Sequence, residues 1–118
     1  MAISDIQFRL TGGASNANPN TSLGGTTSSV QLSGTAMNNL YDDVSSAEAS
    51  SGDTEYRAFS LVQTGATTIT QVTFDLSAVT SSTDTDCKLW FEIKNGSPQA
   101  AVANESTSPT LGAHGKFQ

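Results

Sequence analysis

The residues best suited to bind a ligand are carboxylates gathered in one short window of the sequence. They are Asp42, Asp43, Glu48, Asp53 and Glu55. Carboxylate oxygens on a loop can chelate Ca²⁺, a hard cation that takes several oxygen ligands. The window lacks the D-x-[DN]-x-[DN]-G spacing of an EF-hand, however, and acidic side chains are usually only solvated. We therefore interpret the window as a solvated loop and keep a calcium site, with Asp42, Asp43 and Asp53 as ligands, as the alternative hypothesis.

No catalytic arrangement can be assembled from the remaining reactive residues. A Ser-His-Asp hydrolase needs an imidazole beside its nucleophile, and the one histidine, His114, stands in a glycine-rich tail. The one cysteine, Cys87, alternates with apolar residues, which is typical of a small buried hydrophobe. One His and one Cys cannot supply the usual zinc ligand sets, and the phosphate-binding glycine motifs do not occur. We expect a chain that is not an enzyme and needs no cofactor.

The charge balance argues against nucleic acid as a partner. The formal net charge is -6, and the five basic residues are scattered along the chain. A protein that binds DNA or RNA neutralises phosphates with clustered Lys and Arg, and no such cluster occurs here. Apolar runs are only a few residues long, and residues 1–5 do not resemble a signal peptide. We expect no membrane partner and synthesis in the cytoplasm of the producing cell.

Apolar side chains alternate with polar ones in several segments, which predicts β-strands. The predicted strands are 5–11, 27–33, 55–63, 68–76 and 86–94, with a short additional one at 100–102. Residues 64–67 suit a hairpin turn between two of them, and Phe59 and Leu61 are expected in the core. The pattern predicts an all-β fold, a small antiparallel β-sandwich of immunoglobulin-like or jelly-roll type, which periodicity cannot tell apart.

The segments between the strands are rich in Gly, Asn, Ser and Pro. Residues 12–25 are bracketed by glycine pairs and predict a long loop, of a length that is usually functional or poorly ordered. Residues 37–44 have helical spacing over about two turns, and are equally compatible with an irregular segment anchored by Leu40, Tyr41 and Val44. Residues 45–52 predict a polar loop. We expect one sandwich domain over 1–103 and an extended C-terminal arm over 104–118.

Several residues are candidates for contact with other protein subunits. Trp90 lies on the polar face of strand 86–94, where burial within the subunit is favoured over a role as an interface hot spot. His114 lies between glycines in the tail and suits a solvated or interface position. The interface candidates are Asn16, Asn18, Pro19, Leu23, Trp90, His114 and Phe117.

Two segments carry a resemblance to a known group of proteins. They read LTGGASNANPNTSLGG at 10–25 and NNLYDDV at 38–44, the latter continued by AEASSGDTEYR at 47–57. The chain resembles small, mostly uncharacterised proteins encoded among the head and tail genes of tailed bacteriophages. The resemblance covers the first half of the chain, and the second half only as a strand pattern. It implies a virion structural protein, most similar in size to capsid decoration or cement proteins, and transfers no residue role.

The resemblance sets the expectations about partners. A decoration protein would bind the major capsid protein or copies of itself, on the capsid surface of the virion, through loops 12–25 and 42–53 and the tail. By analogy it would be a homo-oligomer, for which a trimer at three-fold axes is plausible. The alternatives are a receptor- or glycan-binding module of a tail or head fibre, using Trp90, Tyr41 and Tyr56, and a tail-tube or connector subunit.

Overall fold

The computed structural model describes residues 5–35, 39–68 and 100–108. Within these ranges the chain forms three strands: β1 (Ile6–Thr11), β2 (Thr27–Gln31) and β3 (Phe59–Gln63). It also forms a 3₁₀ helix (Pro19–Thr21) and one α-helix, α1 (Ser46–Ser51). The three strands make one antiparallel sheet in the order β2-β1-β3, which confirms the all-β prediction at this level. The predicted strands 68–76 and 86–94 lie outside the described residues apart from position 68.

β1 is central because it hydrogen-bonds on both sides. Its register with β3 is continuous, from Ile6 opposite Gln63 to Leu10 opposite Phe59. Its register with β2 shifts between Arg9 and Thr11, as in a β-bulge. The irregular pairing lies next to the loop that joins β1 to β2, so the sheet is regular on one side and bent on the other.

The apolar alternation of β1 predicts that Phe8 and Leu10 are both buried, but only Leu10 is. Leu10 is 2% exposed and is the buried hydrophobic residue of the described part of the chain, whereas Phe8 on the same face is 44% exposed. The rings of Phe8 and Phe59 meet edge to face with centroids 5.6 Å apart. Phe59 and Leu61 are half-buried. The sheet therefore has its most densely packed point at the end of β1 that leads into the loop.

Residues 45–52, predicted as a polar loop, contain α1, and the prediction was wrong for a specific reason. Ser45 caps the helix by accepting from the Glu48 N–H at 3.3 Å, and a Glu48 carboxylate oxygen accepts from the Ser45 N–H. This reciprocal capping box satisfies two backbone donors at once. None of the residues of α1 is buried, so local capping rather than an apolar face holds the helix.

Two other segments differ from the predicted elements. The described part of 37–44, residues 39–44, is irregular rather than helical, as the alternative interpretation had it. Val44 is 71% exposed and does not anchor it. Residues 100–102 are not a strand; the Val102 N–H instead donates to the Leu23 carbonyl at 3.0 Å. Among the described residues, no helix has the length and apolar character needed to span a membrane.

Candidate functional site

Two buried hydroxyl groups attach the 12–26 loop to the sheet. Ser22 is fully buried at 0% exposure, and Thr11 is 4% exposed. The Ser22 hydroxyl accepts from the Thr11 N–H at 2.8 Å and donates to the Ala58 carbonyl at 2.6 Å. The Thr11 hydroxyl accepts from the Gly24 N–H at 2.9 Å. Residues 22–24 of the loop are thereby fixed to the end of β1 and to the residue before β3.

Asn16 organises the interior of the loop with a single side-chain amide. Its Nδ2 donates to the carbonyls of Thr11 at 2.7 Å and Asn18 at 3.1 Å. Its Oδ1 accepts from the Asn18 N–H and from the Thr21 hydroxyl, both at 3.0 Å. The amide thus uses both donors and both acceptor positions on partners in the loop and at the adjoining end of β1. Asn16, predicted as an interface residue, acts in this structure as an internal brace of the loop.

The outer turn of the loop is a capped 3₁₀ helix. The Asn18 side chain accepts from the Asn20 N–H at 3.1 Å, and Pro19 follows at the first helical position, where its missing N–H has no bond to lose. Gly12 has φ of 93°, and a Cβ there would clash with the Thr21 carbonyl oxygen. The loop therefore closes on itself only because residue 12 has no side chain.

The braced loop presents a mostly polar surface. Ala17, Asn18 and Asn20 are exposed, while the candidates Pro19 and Leu23 are half-buried. Beneath them Ser28, 1% exposed, donates its hydroxyl to the Asn16 carbonyl at 2.7 Å. The loop predicted to be functional or poorly ordered is in fact held by many internal bonds, which keep its exposed atoms in fixed positions.

A second feature, here called the arginine cluster, lies beside the loop and consists of Arg57, Asp42, Glu55, Glu105 and Tyr41. The Arg57 side chain is 0% exposed, and its Nη2 lies 2.9 Å from Glu105, 3.5 Å from Glu55 and 3.7 Å from Asp42. Its guanidinium carbon lies 5.5 Å from the centre of the Tyr41 ring, within range of a cation–π interaction. One cation thus gathers carboxylates from three segments of the chain.

The cluster has more negative than positive charge. A buried guanidinium needs compensating partners, yet three carboxylates around one cation also repel one another. Burial raises the pKa of Glu55, Arg57 opposes that shift, and the neighbouring carboxylates of Asp42 and Glu105 add to it. Among the described residues no acceptor lies within hydrogen-bond reach of the buried Arg57 Nε. The charge of Arg57 is therefore more than compensated, while its Nε has no hydrogen-bond partner among the described residues.

Asn20 connects the loop to the arginine cluster. Its Nδ2 donates to an Asp42 carboxylate oxygen at 3.0 Å. The opposite oxygen of the same carboxylate faces Arg57 at 3.7 Å. The two features therefore form one continuous polar surface region.

The predicted calcium ligands are distributed differently from the hypothesis. The carboxylate group that comes together is Glu48, Asp53 and Glu55, whose oxygens lie within 4.8 Å of one another. Asp42 instead faces Arg57, and Asp43 is exposed. Glu48 is occupied as the cap of α1, where the Ser45 hydroxyl and backbone N–H lower its pKa. Exposed acidic groups commonly occur together without an ion, so we interpret this group as an acidic surface.

Arg57, the central residue of the arginine cluster, was not among the predicted site residues, and three of the predicted ones lie outside the described part of the chain. Trp90, His114 and Phe117 fall outside the described residues. Arg57 was not singled out, although it is the one basic residue between Arg9 and Lys88 and stands among carboxylates. That isolation is the signal that could have identified it. Its partner Glu105, 48 positions away, has no comparable signal.

The described residues define a β-rich chain built on a three-stranded antiparallel sheet, with a polar loop held by internal hydrogen bonds and a group of carboxylates around the buried side chain of Arg57. Comparisons with protein-family models, with curated proteins and with solved structures found no match.

Proposed function

We propose that the chain is a non-enzymatic structural module that binds other protein subunits, as a decoration or cement protein on the capsid lattice of a tailed bacteriophage. The observation that supports it best is the braced 12–26 loop. Asn16, Ser22 and Thr11 use their polar atoms to hold the loop, while Asn18 and neighbouring residues stay exposed. The sequence of this loop also carries the resemblance to phage head and tail proteins.

A rigid loop suits a binding protein because its order is established before the partner arrives. Immobilising a flexible side chain on binding costs about 0.5–1.5 kcal/mol, and a pre-ordered loop avoids part of that cost. In a lattice the same contact is repeated many times, so modest contacts can sum to strong retention. A protein that binds only the assembled shell stabilises that shell by mass action.

The finer architecture belongs to the same proposal. A sheet with one apolar face needs a second layer to cover it, which supports an antiparallel β-sandwich of immunoglobulin-like or jelly-roll type. Ile6, Phe59 and Leu61 are half-buried and suit such a face. The partners would be the major capsid protein and copies of the chain itself, as a trimer or other homo-oligomer, with residues 104–118 as an arm. The location would be the capsid surface of the virion.

Binding to capsids tests the proposal directly. Purified protein is mixed with undecorated capsids of the phage whose genome encodes it and, separately, with host cells. We expect saturable binding to capsids at a fixed copy ratio and a higher melting temperature of the shell. Retention by cells with no binding to capsids would refute the cement function and favour the receptor-binding alternative.

A pair of matched variants tests the role of the loop. Ala17 and Ala66 are both exposed, one on the loop and the other in the turn after β3. Ala17→Arg is expected to weaken capsid binding by at least about tenfold, or about 1.4 kcal/mol, because a large charged side chain would be forced into the contact. Ala66→Arg, which makes the same chemical change, is expected to bind like the wild type. Equal binding by both variants would remove the loop from the interface.

A further inference from the structure

We infer that residues 100–108 form a releasable strap, latched by Arg57, which can open while the sheet stays folded. Three contacts along its length hold it to the rest of the chain. The Val102 N–H donates to the Leu23 carbonyl at 3.0 Å, and the Tyr56 N–H donates to the Glu105 carbonyl at 2.8 Å. The Glu105 carboxylate accepts from Arg57 Nη2 at 2.9 Å. The inference concerns the chain itself and does not depend on the proposed function.

The strap has little apolar surface to hold it closed. None of residues 100–108, all of which are described, is buried, and only Val102, Glu105 and Thr107 are half-buried. The Thr107 N–H and hydroxyl both bond to Asn104, at 3.1 Å and 2.8 Å, in a turn that fixes the position of Glu105. Segments with few buried apolar contacts open at lower free energy than the core, so the ion pair with Arg57 becomes the main restraint.

The arginine cluster lowers the free-energy cost of opening the strap, because Arg57 has other carboxylates beside it. Removing the partner of a buried charge is normally very costly, because the charge is left uncompensated. Here Arg57 keeps two other carboxylates when Glu105 leaves, Glu55 at 3.5 Å and Asp42 at 3.7 Å. Departure of Glu105 also relieves repulsion among the three carboxylates. Because the cluster has more carboxylates than cations, the guanidinium still has compensating charge after Glu105 has moved away.

Opening would expose groups on both sides of the arginine cluster. The Tyr56 N–H and the Leu23 carbonyl would lose their partners to water, and Leu23 belongs to the 12–26 loop. The strap also contains the first five residues of the predicted C-terminal arm. The strap therefore links the position of residues 104–108 to the loop at Leu23.

Amide hydrogen exchange of the full chain, resolved by residue with NMR, tests the strap. In the wild type, the Tyr56 and Val102 amides should exchange at least about tenfold faster than those of the β1–β3 ladder, with little dependence on denaturant, as for local opening. Glu105→Gln weakens the latch and should accelerate those two amides by a further tenfold or so, leaving the ladder unchanged. Asp43→Asn, the same change at an exposed carboxylate, should alter neither.

Two results would overturn the inference. One is exchange of Tyr56 and Val102 at the rate and with the denaturant dependence of the ladder, since the strap would then open only with global unfolding. The other is a Glu105→Gln variant in which those amides change no more than the ladder does, because Arg57 would then not be the latch.

Discussion

Replacement of the buried Ser22 hydroxyl should destabilise the chain far more than its small size suggests. In Ser22→Ala the Thr11 N–H, now 2.8 Å from the hydroxyl, loses its acceptor inside the protein. A buried donor left without a partner costs about 1–3 kcal/mol. The Ala58 carbonyl also loses a donor at 2.6 Å, but the Thr11 hydroxyl, 3.2 Å away, can still donate to it. We therefore expect a loss of about 2 kcal/mol, most of it from the stranded Thr11 N–H.

Equilibrium unfolding in urea measures this loss. With a denaturant dependence of about 1–3 kcal/mol per M for a small domain, the midpoint should fall by roughly 1 M with an unchanged slope. Ser29→Ala is the matched control, because Ser29 is exposed on β2 and its substitution should change stability by less than about 0.5 kcal/mol. A Ser22→Ala midpoint equal to that of Ser29→Ala would show that the buried hydroxyl does not anchor the loop, and would refute the reasoning.

Three further perturbations address the loop, the arginine cluster and α1. Gly12→Ala forces a Cβ against the Thr21 carbonyl at a positive φ, so thermal unfolding should show a loss of at least about 1–3 kcal/mol. The pKa of Glu55 in the folded chain lies above its ordinary value of 4.5. Protonation of Glu55 therefore stabilises the fold at pH values below 4.5, and this stabilisation is lost as the pH rises through the higher pKa of the folded chain. Urea titrations should accordingly show the unfolding free energy of wild type, relative to Glu55→Gln, increasing as pH falls through this window; a constant difference would contradict the shift. Ser45→Ala removes the helix cap at a cost of about 1 kcal/mol, so the amides that close α1 should exchange about fivefold faster while those of the sheet stay unchanged.

Strand positions follow from the sequence where the ladder is regular. The prediction of 5–11 matches β1 (Ile6–Thr11), because alternation and the neighbouring glycines define the strand locally. The prediction of 55–63 begins too early, since β3 starts at Phe59. The reason is that Tyr56 and Ala58 donate their N–H groups to Glu105 and Ser22 rather than to a neighbouring strand. Local pattern could not predict those distant partners.

The candidate site was harder to predict because its contacts join residues far apart in sequence. A loop was predicted at 12–25 from its glycines and asparagines, but its order depends on Ala58, which lies 36 positions beyond Ser22. Arg57 meets Glu105 across 48 positions, and no periodicity connects them. The capping box of α1 is different: Ser45 and Glu48 are three residues apart and match S-x-x-E, so the helix could have been predicted.

The 12–26 loop is held from two sides that differ in strength, and this asymmetry links it to the strap. Ser22 is bonded to β1 and to Ala58 inside the protein, where exclusion of water makes those bonds costly to break. The next residue, Leu23, is bonded to Val102 of the strap, which has no buried residue. Opening of the strap should therefore loosen the loop at Leu23 and leave it fixed at Ser22. The exposed surface around Asn18 would keep its shape in either state, as the proposed binding surface requires, while residues 100–108 change position.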